Sequence, residues 1–316
     1  MRILITGASG FVGRALIPRL LSAGHALRAT SRTDPFTSGI EGFLPIDIGP
    51  ETNWRTALEG VHAVVHLAAR VHQLSDSASD PLPAYRAINA LGTLNLAEQA
   101  AQAGVKRFVF MSTAKVWGER SGDRPFDETS PARAEDPYGI SKWEAEVGLQ
   151  HIAQKTGMDY VTLRPPLVYG PGVKANFLRL MRWIDRGYPL PFAAIHNRRS
   201  LIGLGNVIDA IAASIDSPAA ANQTFGVADD ASISTPDLIR CLATQLHRPT
   251  RLFPISPTLL RYAARCARRE AEIARLTENL EVDISRIQQS LNWHPPYSLQ
   301  SCIEETVSWY RAQQDT

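Results

Sequence analysis

Short apolar runs alternate with longer amphipathic stretches through the first half of the chain. The apolar runs predict strands at residues 2–6, 26–31, 42–46, 63–67, 107–111 and 159–163. Helical spacing follows the first strand as far as residue 23 and returns over residues 82–103 and from Tyr138 onward. Strands that alternate with helices are typical of a parallel sheet covered on both faces, so the pattern predicts an α/β fold.

The pattern changes after residue 165. Proline and glycine become frequent between residues 165 and 191, which marks a change of architecture. Farther on, residues 206–217 predict a helix, and residues 224–227 predict a late strand that returns to the sheet. From Thr235 onward the pattern is mostly helical and ends in a loop at residues 293–296. The second half therefore predicts a mostly helical lobe.

A glycine-rich turn joins the first strand to the first helix. Its sequence is Gly7-Ala8-Ser9-Gly10-Phe11-Val12-Gly13. Glycine is needed where the chain turns tightly, where backbone approaches a pyrophosphate, and where a helix packs closely on a strand. The phosphates would lie at the helix N-terminus, facing unpaired N–H groups and the positive end of the helix dipole. The turn predicts a dinucleotide-binding sheet of the doubly wound, Rossmann type.

Length and pattern together predict two lobes in the 316-residue chain. We expect a dinucleotide-binding Rossmann domain over residues 1–165, to which residues 200–228 return. Residues 166–199 and 229–316 would form a smaller, mostly helical C-terminal lobe that binds the substrate.

Composition narrows the possible partners and the compartment. A net charge of +2 does not favour a nucleic-acid partner. Three scattered cysteines, Cys241, Cys266 and Cys302, make neither a disulfide framework nor a metal site, which fits a reducing compartment. The first strand begins at Arg2 and leaves no room for a signal peptide, and no apolar run reaches the roughly 18 residues of a membrane span. We expect a cytoplasmic protein with no membrane partner and no metal.

Tyr138 and Lys142 are four residues apart at the start of a helix, so they share one helical face. An ammonium beside a phenol stabilises the phenolate and lowers the tyrosine pKa from about 10. Tyr138 can then exchange a proton with a carbonyl or hydroxyl oxygen. The same lysine can donate hydrogen bonds to ribose hydroxyls and hold a nicotinamide ring near the phenol.

Ser112 and Thr113 follow the fifth predicted strand, at the carboxyl end where open α/β sheets bind ligands. Thr113 can hydrogen-bond the substrate oxygen that Tyr138 protonates and orient it for hydride transfer. Alternatively, the two hydroxyls cap a strand–loop junction, and this second interpretation suits Ser112.

Together these segments resemble the extended short-chain dehydrogenase/reductase family of nucleotide-sugar epimerases, reductases and dehydratases. The resemblance covers essentially the whole chain. It rests on residues 6–13, His66-Leu67-Ala68-Ala69, Asn89, Ser112-Thr113, Val116-Trp117-Gly118, residues 138–142 and Leu163-Arg164-Pro165. It implies that Thr113, Tyr138 and Lys142 are catalytic.

The resemblance also implies a set of cofactor-binding residues. Asp47 and Ile48 would bracket the adenine, Ala68 and Ala69 would line the cofactor groove, and Asn89 would support the catalytic lysine through water. The full predicted set is Gly7, Ser9, Gly10, Phe11, Val12, Gly13, Ser31, Arg32, Asp47, Ile48, Leu67, Ala68, Ala69, Asn89, Tyr138, Lys142 and Pro165.

The residues after the second strand bear on the choice of cofactor. NAD enzymes of this fold usually carry an acidic residue there, which binds the ribose 2′-hydroxyl. Here no carboxylate occurs before Asp34, whereas Ser31 and Arg32 could hold a 2′-phosphate. The sequence therefore favours NADP(H), with NAD(H) as the alternative.

Three reactions are open to such a protein. The family's dehydratases resemble one another in an Asp-Glu pair after the catalytic threonine, and this chain has Ala114-Lys115 there, which argues against dehydration. A reductase that exchanges NADPH at each turnover fits the second-strand residues better than a 4-epimerase that retains NAD. Residues 65–72, 115–119 and 197–201 are also similar to bacterial UDP-N-acetylquinovosamine 4-reductases of surface polysaccharide synthesis.

The main hypothesis is therefore an NADP(H)-dependent reductase acting at C4 of a UDP-linked 4-keto-6-deoxy-N-acetylhexosamine. An NAD-dependent nucleotide-sugar 4-epimerase is the first alternative. A non-catalytic dinucleotide sensor is the second, and the intact Thr113, Tyr138 and Lys142 argue against it, because a sensor needs no activated phenol.

The substrate lobe offers fewer signals. By resemblance, Arg199 is the candidate for the substrate diphosphate and Arg275 its possible counterpart. Asn176 and Phe177 either contact phosphate and uracil or serve as helix cap and core residue. His72 either reaches the sugar or is a solvated loop residue. Relatives commonly form homodimers through the tyrosine-bearing helix, so we expect a homodimer.

Overall fold

A computed structural model describes residues 1–33, 38–71, 80–267 and 269–314. Over these residues the strands are β1 Arg2–Thr6, β2 Ala26–Ser31, β3 Gly42–Pro45, β4 Ala63–His66, β5 Arg107–Met111, β6 Asp159–Arg164, β7 Leu167–Tyr169, β8 Leu201–Gly203 and β9 Gln223–Gly226. Seven of them form one parallel sheet in the order β3-β2-β1-β4-β5-β6-β9, and β7 pairs with β8. The six strands predicted in the first half and the returning strand are confirmed, with ends that differ by a residue or so.

Some of the helices cover both faces of this sheet, and others pack on β7 and β8. Over the described residues the helices are α1 Phe11–Ser22, α2 Arg55–Leu58, α3 Leu82–Tyr85, α4 Gly92–Gln102, α5 Pro137–Thr156, α6 Ala175–Asp185, α7 Leu204–Asp216, α8 Thr235–Gln245, α9 Pro257–Cys266, α10 Glu270–Thr277, α11 Ser285–Leu291 and α12 Leu299–Ala312. Short 3₁₀ turns lie at Ala114–Val116 and Pro218–Ala220. The doubly wound fold is the predicted one.

Two hydrophobic clusters occupy the two faces of the sheet. One packs α1 and α7 against β1, with Leu16, Ile17 and Ile211 fully buried. The other packs α4 and α5 against β5, with Leu96 and Leu149 buried. Because both faces are covered, the central strands are mostly apolar, so they are recognisable as apolar runs.

A third cluster joins β7 and β8 to helices α6, α8 and α12. Tyr169, Met181, Leu242 and Ile303 are buried within it. The expectation that the chain ends in a loop near residues 293–296 is wrong in one respect, because α12 follows that loop. Its apolar side chains complete this third cluster.

The long helix predicted over residues 82–103 is divided. Between α3 and α4, residues Arg86–Leu91 form a π-helical turn, in which the N–H of Gly92 bonds to the carbonyl of Ala87, five residues back. The Thr93 hydroxyl donates to the Asn89 carbonyl at 2.7 Å. A side-chain donor inserted into the helical ladder is a known cause of such a distortion.

Candidate active site

The strand order reverses between β1 and β4, and ligands of open α/β sheets bind at this switch point. The glycine turn lies there. Gly7 has φ +70°, and a Cβ on it would come within 2.7 Å of the Ala68 backbone nitrogen. Gly10 caps α1 without any side-chain hydrogen bond, so the first N–H groups of the helix are open to an anion. The turn therefore fits a dinucleotide pyrophosphate.

The remaining predicted groove residues lie along the carboxyl ends of the strands. Ala68 N–H donates to the Thr6 hydroxyl at 3.3 Å, and Leu67 N–H to the Thr6 carbonyl at 3.3 Å. Asp47 is exposed after β3, and the methyl of the half-buried Ile48 lies against Gly92. These positions follow directly from the strand ends. Of the other members, Ser9 lies in the glycine turn, Phe11, Val12 and Gly13 begin α1, and Ala69 follows β4. Pro165 follows β6, where its carbonyl accepts the N–H of Ala114 at 2.8 Å.

The two residues predicted to hold a 2′-phosphate, Ser31 and Arg32, differ in the accessibility of their side chains. The Ser31 hydroxyl donates to the carbonyl of Thr33 and is buried, so it serves its own turn. Arg32 is exposed. Asp34 and His72 lie outside the described residues.

Helix α5 carries the candidate acid/base. Asp136 caps it, because its Oδ1 accepts the N–H of Gly139 at 2.7 Å, and Pro137 occupies the first helical position. Tyr138 is thereby fixed in the first turn, half-buried, with its ring edge-on to Tyr85 at 6.5 Å between centroids.

Lys142 ties this helix to β5. Its Nζ donates to the Met111 carbonyl at 2.8 Å and lies 4.4 Å from the centroid of the Phe110 ring. Only 1% of the lysine is exposed. Thr113 follows β5 two residues later, with its hydroxyl oxygen accepting the N–H of Lys115 at 3.3 Å. The structure thus brings the end of β5 and the start of α5 together, as the sequence predicts.

The charges at this site differ from the expectation. Burial lowers the pKa of Lys142 to about 7, and the carboxylate of Glu146 opposes that shift. Burial, followed by the charges of Asp136 and Tyr85, raises the pKa of Tyr138 above its usual value. The expectation that Lys142 lowers the tyrosine pKa is therefore wrong for this structure. Loss of hydration and a nearby carboxylate disfavour the phenolate, while the lysine ammonium is bound to the Met111 carbonyl.

A buried ionic cluster behind the site was missed from sequence. The Glu146 carboxylate accepts from the Ser112 hydroxyl and from Arg164, whose Nε lies 3.1 and 3.2 Å from its two oxygens. The Arg164 guanidinium also lies 4.7 Å from the centroid of Trp117. Ser112 therefore does more than cap a loop. Glu146 follows Lys142 by four residues, which is the only sequence signal that could have pointed to it.

Asn89 supports the same helix from the other side. Its Oδ1 accepts the N–H of Arg70 at 2.7 Å, and its Nδ2 donates to Ser141 Oγ at 3.0 Å. Ser141 in turn donates to the Tyr138 carbonyl at 2.8 Å. Asn89 thus bonds directly to Ser141, which precedes Lys142 in sequence. The predicted support of Lys142 itself through water stays a prediction.

His66 forms a buried hydrogen-bonded chain below this site. Its Nδ1 lies 2.7 Å from Thr6 Oγ1, and its Nε2 lies 2.9 Å from Thr93 Oγ1. Thr93 already donates its proton to the Asn89 carbonyl, so Nε2 must be the protonated nitrogen. Burial, together with the charge of Lys142, lowers the pKa of His66 to about 3. The ring is neutral and links β1 and β4 to Thr93 of α4.

The substrate-lobe candidates meet in one cleft with a cavity volume of about 130 Å³. It lies between α6, α8 and α10, and its walls include Asn176, Phe177, Arg199 and Arg275. Most of the remaining wall is apolar.

Within the cleft, Arg199 donates through Nη1 to the Glu278 carbonyl at 3.1 Å. Burial lowers its pKa to about 10 and the Arg275 charge adds to this, against the opposing charge of Glu119. Phe177 stacks on Tyr169 at 5.3 Å, and Asn176 is exposed and provides no cap to α6. The packing interpretation therefore holds for Phe177, and the capping interpretation of Asn176 is wrong.

Two absences apply to the described ranges only. None of their helices is both long and apolar enough to cross a bilayer. Among the same residues, no group of three or more His, Cys, Asp or Glu side chains is arranged to hold a metal ion.

The chain matches the family model described as "NAD dependent epimerase/dehydratase family" over residues 3–228. It belongs to this family. The match spans the whole parallel sheet, so the predicted family and enzyme class are confirmed.

Relatives of this epimerase/dehydratase chain extend the comparison to its full length. A UDP-glucose 4-epimerase of Vibrio cholerae is 41% identical over 308 residues, covering 96% of this chain and 94% of the relative. A crystal structure of UDP-glucose 4-epimerase from Thermotoga maritima, with UDP-glucose, has a TM-score of 0.80 at 22% identity and covers 99% of this chain and 100% of that one.

A second solved structure is similar in the same way. It is the UDP-glucose 4-epimerase of Thermus thermophilus in complex with NAD, with a TM-score of 0.79, 24% identity, and coverage of 98% of this chain and 99% of that one. At such low identity the two structures establish the shared fold alone.

Proposed function

We propose that this member of the epimerase/dehydratase family is an NAD-dependent 4-epimerase of a UDP-linked sugar. The observation that carries this is the full-length relative at 41% identity, whose name is UDP-glucose 4-epimerase. It favours the epimerase alternative over the reductase that the second-strand residues suggested.

The residues at the end of β5 and the start of α5 support this chemistry. When bound, NAD supplies a hydride acceptor and donor at the sugar C4. Tyr138 would take the proton from the C4 hydroxyl and return it after the 4-ketosugar has rotated in the site. Thr113 would hold the same oxygen, and Lys142 would orient the ribose. A 4-epimerase needs this proton exchange twice per turnover, once in each direction.

We propose that the two lobes divide the work as the sequence suggests, with residues 1–165 and 200–228 holding the cofactor. The cleft bounded by α6, α8 and α10 would take the nucleoside diphosphate. Arg199 and Arg275 offer guanidinium groups that match phosphate oxygens. The apolar wall suits the flat face of a uracil ring better than a second charged group.

For the cofactor we propose NAD, retained through the cycle. The solved structure from Thermus thermophilus is described as a complex with NAD. The Ser31 hydroxyl is bound within its own turn, which weakens the case for a 2′-phosphate site at that residue. A reductase that uses NADPH remains the second candidate, since Arg32 is exposed there and neither Arg32 nor Thr33, which directly follow β2, carries a carboxylate.

One experiment separates the two. The purified protein is incubated with UDP-glucose or UDP-N-acetylglucosamine, and C4 epimers are followed by NMR without added cofactor, while a parallel reaction with UDP-4-ketosugars follows NADPH absorbance. Epimer formation without added NADPH is the expected result. NADPH consumption without any epimerisation would establish the reductase, and cofactor binding without turnover of either substrate would establish a sensor.

We also propose that the chain forms a homodimer through the outer faces of α4 and α5. A shallow groove runs between these helices, lined by Leu94, Gly148 and Ile152. Sedimentation velocity tests this, because a 34.7 kDa species would contradict the proposal.

A further inference from the structure

A chain of ion pairs connects the proposed diphosphate cleft to the cap of the tyrosine-bearing helix. Arg275 Nε in the cleft wall lies 3.6 Å from Glu119 Oε2. The other oxygen of Glu119 accepts from Lys115 Nζ at 2.7 Å. Lys115 also bonds to Asp136, whose second oxygen caps α5 at Gly139. Four charged side chains of alternating sign thus join two distant parts of the fold.

This series of ion pairs connects the two proposed lobes. Lys115 and Glu119 belong to the segment that follows β5, whereas Arg275 belongs to α10. The same segment is held along residues 278–283 by backbone hydrogen bonds, among them Ser121 N–H to the Asn279 carbonyl at 3.0 Å. The position of Glu119 is therefore set by backbone pairing and does not depend on the side-chain contact alone.

The electrostatics of the cleft explain what this carboxylate can do. Arg199 and Arg275 carry like charges in one cleft, and Glu119 is the acidic group that most opposes the loss of charge on Arg199. Because Glu119 approaches Arg275 through Nε, the Nη1–Nη2 edge of the guanidinium is left for a two-pronged contact with phosphate oxygens. Glu119 and its partner arginine are only 24% and 32% exposed, so solvent screens their interaction in part.

We infer that Glu119 is a positioning residue that orients Arg275 for the substrate diphosphate and, through Lys115, holds it in register with the start of α5. This inference rests on the proposed function, since it assigns a second layer of contacts to the same cleft. The Lys115 position is also where the family's dehydratases carry an acidic group. In this chain the ammonium at that position bonds to Glu119 and Asp136, and there is no carboxyl group there.

The test measures binding of UDP to the NAD-loaded protein by calorimetry. Glu119→Gln keeps the size of the side chain and removes its charge, so the Kd for UDP should rise about fivefold, the upper end for a partly exposed pair. Glu119→Asp should recover most of the affinity. KM for the UDP-sugar should rise by the same factor with kcat within about twofold, because the orienting contact acts on binding and the reacting atoms are untouched.

Controls separate this role from a structural one. Glu41→Gln breaks a comparable arginine pair, Arg2 Nε to Glu41 at 2.8 Å, far from the cleft, and should leave UDP affinity unchanged. NAD affinity should be unchanged in every variant. If Glu119→Gln lowers kcat and NAD affinity together, or binds UDP as well as the unmodified protein, the inference is wrong.

A double-mutant cycle keeps the inference testable if Glu119→Gln folds poorly. Arg275→Lys retains the charge and loses the fork, so it should weaken UDP binding by itself. Combined with Glu119→Ala, the two effects should be less than additive, and strict additivity would contradict a shared role. An unmodified protein that binds NAD and not UDP would instead overturn the proposed function.

Discussion

The ammonium of Lys142 donates a hydrogen bond to the main-chain carbonyl of Met111, with 2.8 Å between Nζ and the oxygen. This bond joins α5 to β5 two residues before Thr113, so one contact sets the distance between the candidate base and the candidate orienting hydroxyl. The lysine is almost fully buried to make it. Burying an ammonium costs stability, and such a cost is typical of residues that are positioned for function.

Replacing Tyr138 by Phe removes the phenol proton at this position and leaves the shape of the ring. Turnover should fall by about 10²–10⁴-fold, the usual contribution of a general acid or base. NAD affinity, measured by fluorescence quenching, should remain. Tyr188→Phe, an exposed tyrosine, is the control and should be fully active. Equal activity of Tyr138→Phe would exclude the phenol as the proton carrier.

Lys142 predicts a pH dependence of stability. Its pKa falls from 10.5 in the unfolded chain to about 7 in the folded protein, so between pH 7 and 9 the unfolded chain binds more protons there. The free energy of unfolding should therefore rise with pH across this window from this group. In Lys142→Met the rise should be smaller. Urea titrations of the cofactor-free protein at pH 7, 8 and 9 measure both slopes, and identical slopes would contradict the burial argument.

Glu146 and Glu144 offer a matched comparison on one helix. Glu146→Gln leaves the buried Arg164 without its counter-charge, which typically costs about 3–5 kcal/mol. Glu144 pairs with Arg86 at 2.6 Å on the surface, so Glu144→Gln should barely move the denaturation midpoint. Thermal unfolding of both variants provides the test. Comparable losses of stability in the two variants would contradict a larger contribution from the buried cluster.

His66 should remain neutral through the physiological range. Its folded pKa of about 3 lies below the unfolded value of 6.5, so its contribution to stability is complete above pH 6.5 and decreases as the pH falls toward 3. Nitrogen-15 NMR of the imidazole at pH 5 should show a neutral ring protonated at Nε2. A protonated ring at that pH, or a proton on Nδ1, would contradict the hydrogen-bonded chain through Thr6 and Thr93.

A comparison of Gly7 with Gly24 distinguishes the strain of a positive φ from a steric clash of the added Cβ. Both have φ between +70° and +79°, but a Cβ on Gly7 would meet the Ala68 nitrogen at 2.7 Å, whereas nothing lies within 4 Å of one on Gly24. Gly24→Ala should cost only about 1 kcal/mol of backbone strain. Gly7→Ala should in addition displace the turn and abolish NAD binding, measured by calorimetry. Normal NAD affinity in Gly7→Ala would place the pyrophosphate elsewhere.

Much of the fold was predictable because its signals are local. Apolar runs mark strands buried on both faces, and the glycine turn and the Tyr138–Lys142 spacing depend on neighbours in sequence. The π-helical turn at Arg86–Leu91 was missed, since the Thr93 hydroxyl that bonds into it also contacts His66 of β4, and spacing along the chain does not show that contact. The helix α12 was missed because its pattern follows a proline-rich loop.

The sequence by itself determined the order of elements, the dinucleotide turn and the identity of the candidate acid/base. Only the tertiary structure decided the partner of Lys142, the direction of the Tyr138 pKa, and the ion pair between Glu119, which follows β5, and Arg275 of α10. The reason is physical. Helices, strands and turns follow from interactions between near neighbours in sequence. The pKa values and ion pairs depend instead on burial and on charges brought close by packing. Those distances cannot be derived from the pattern of residues along the chain.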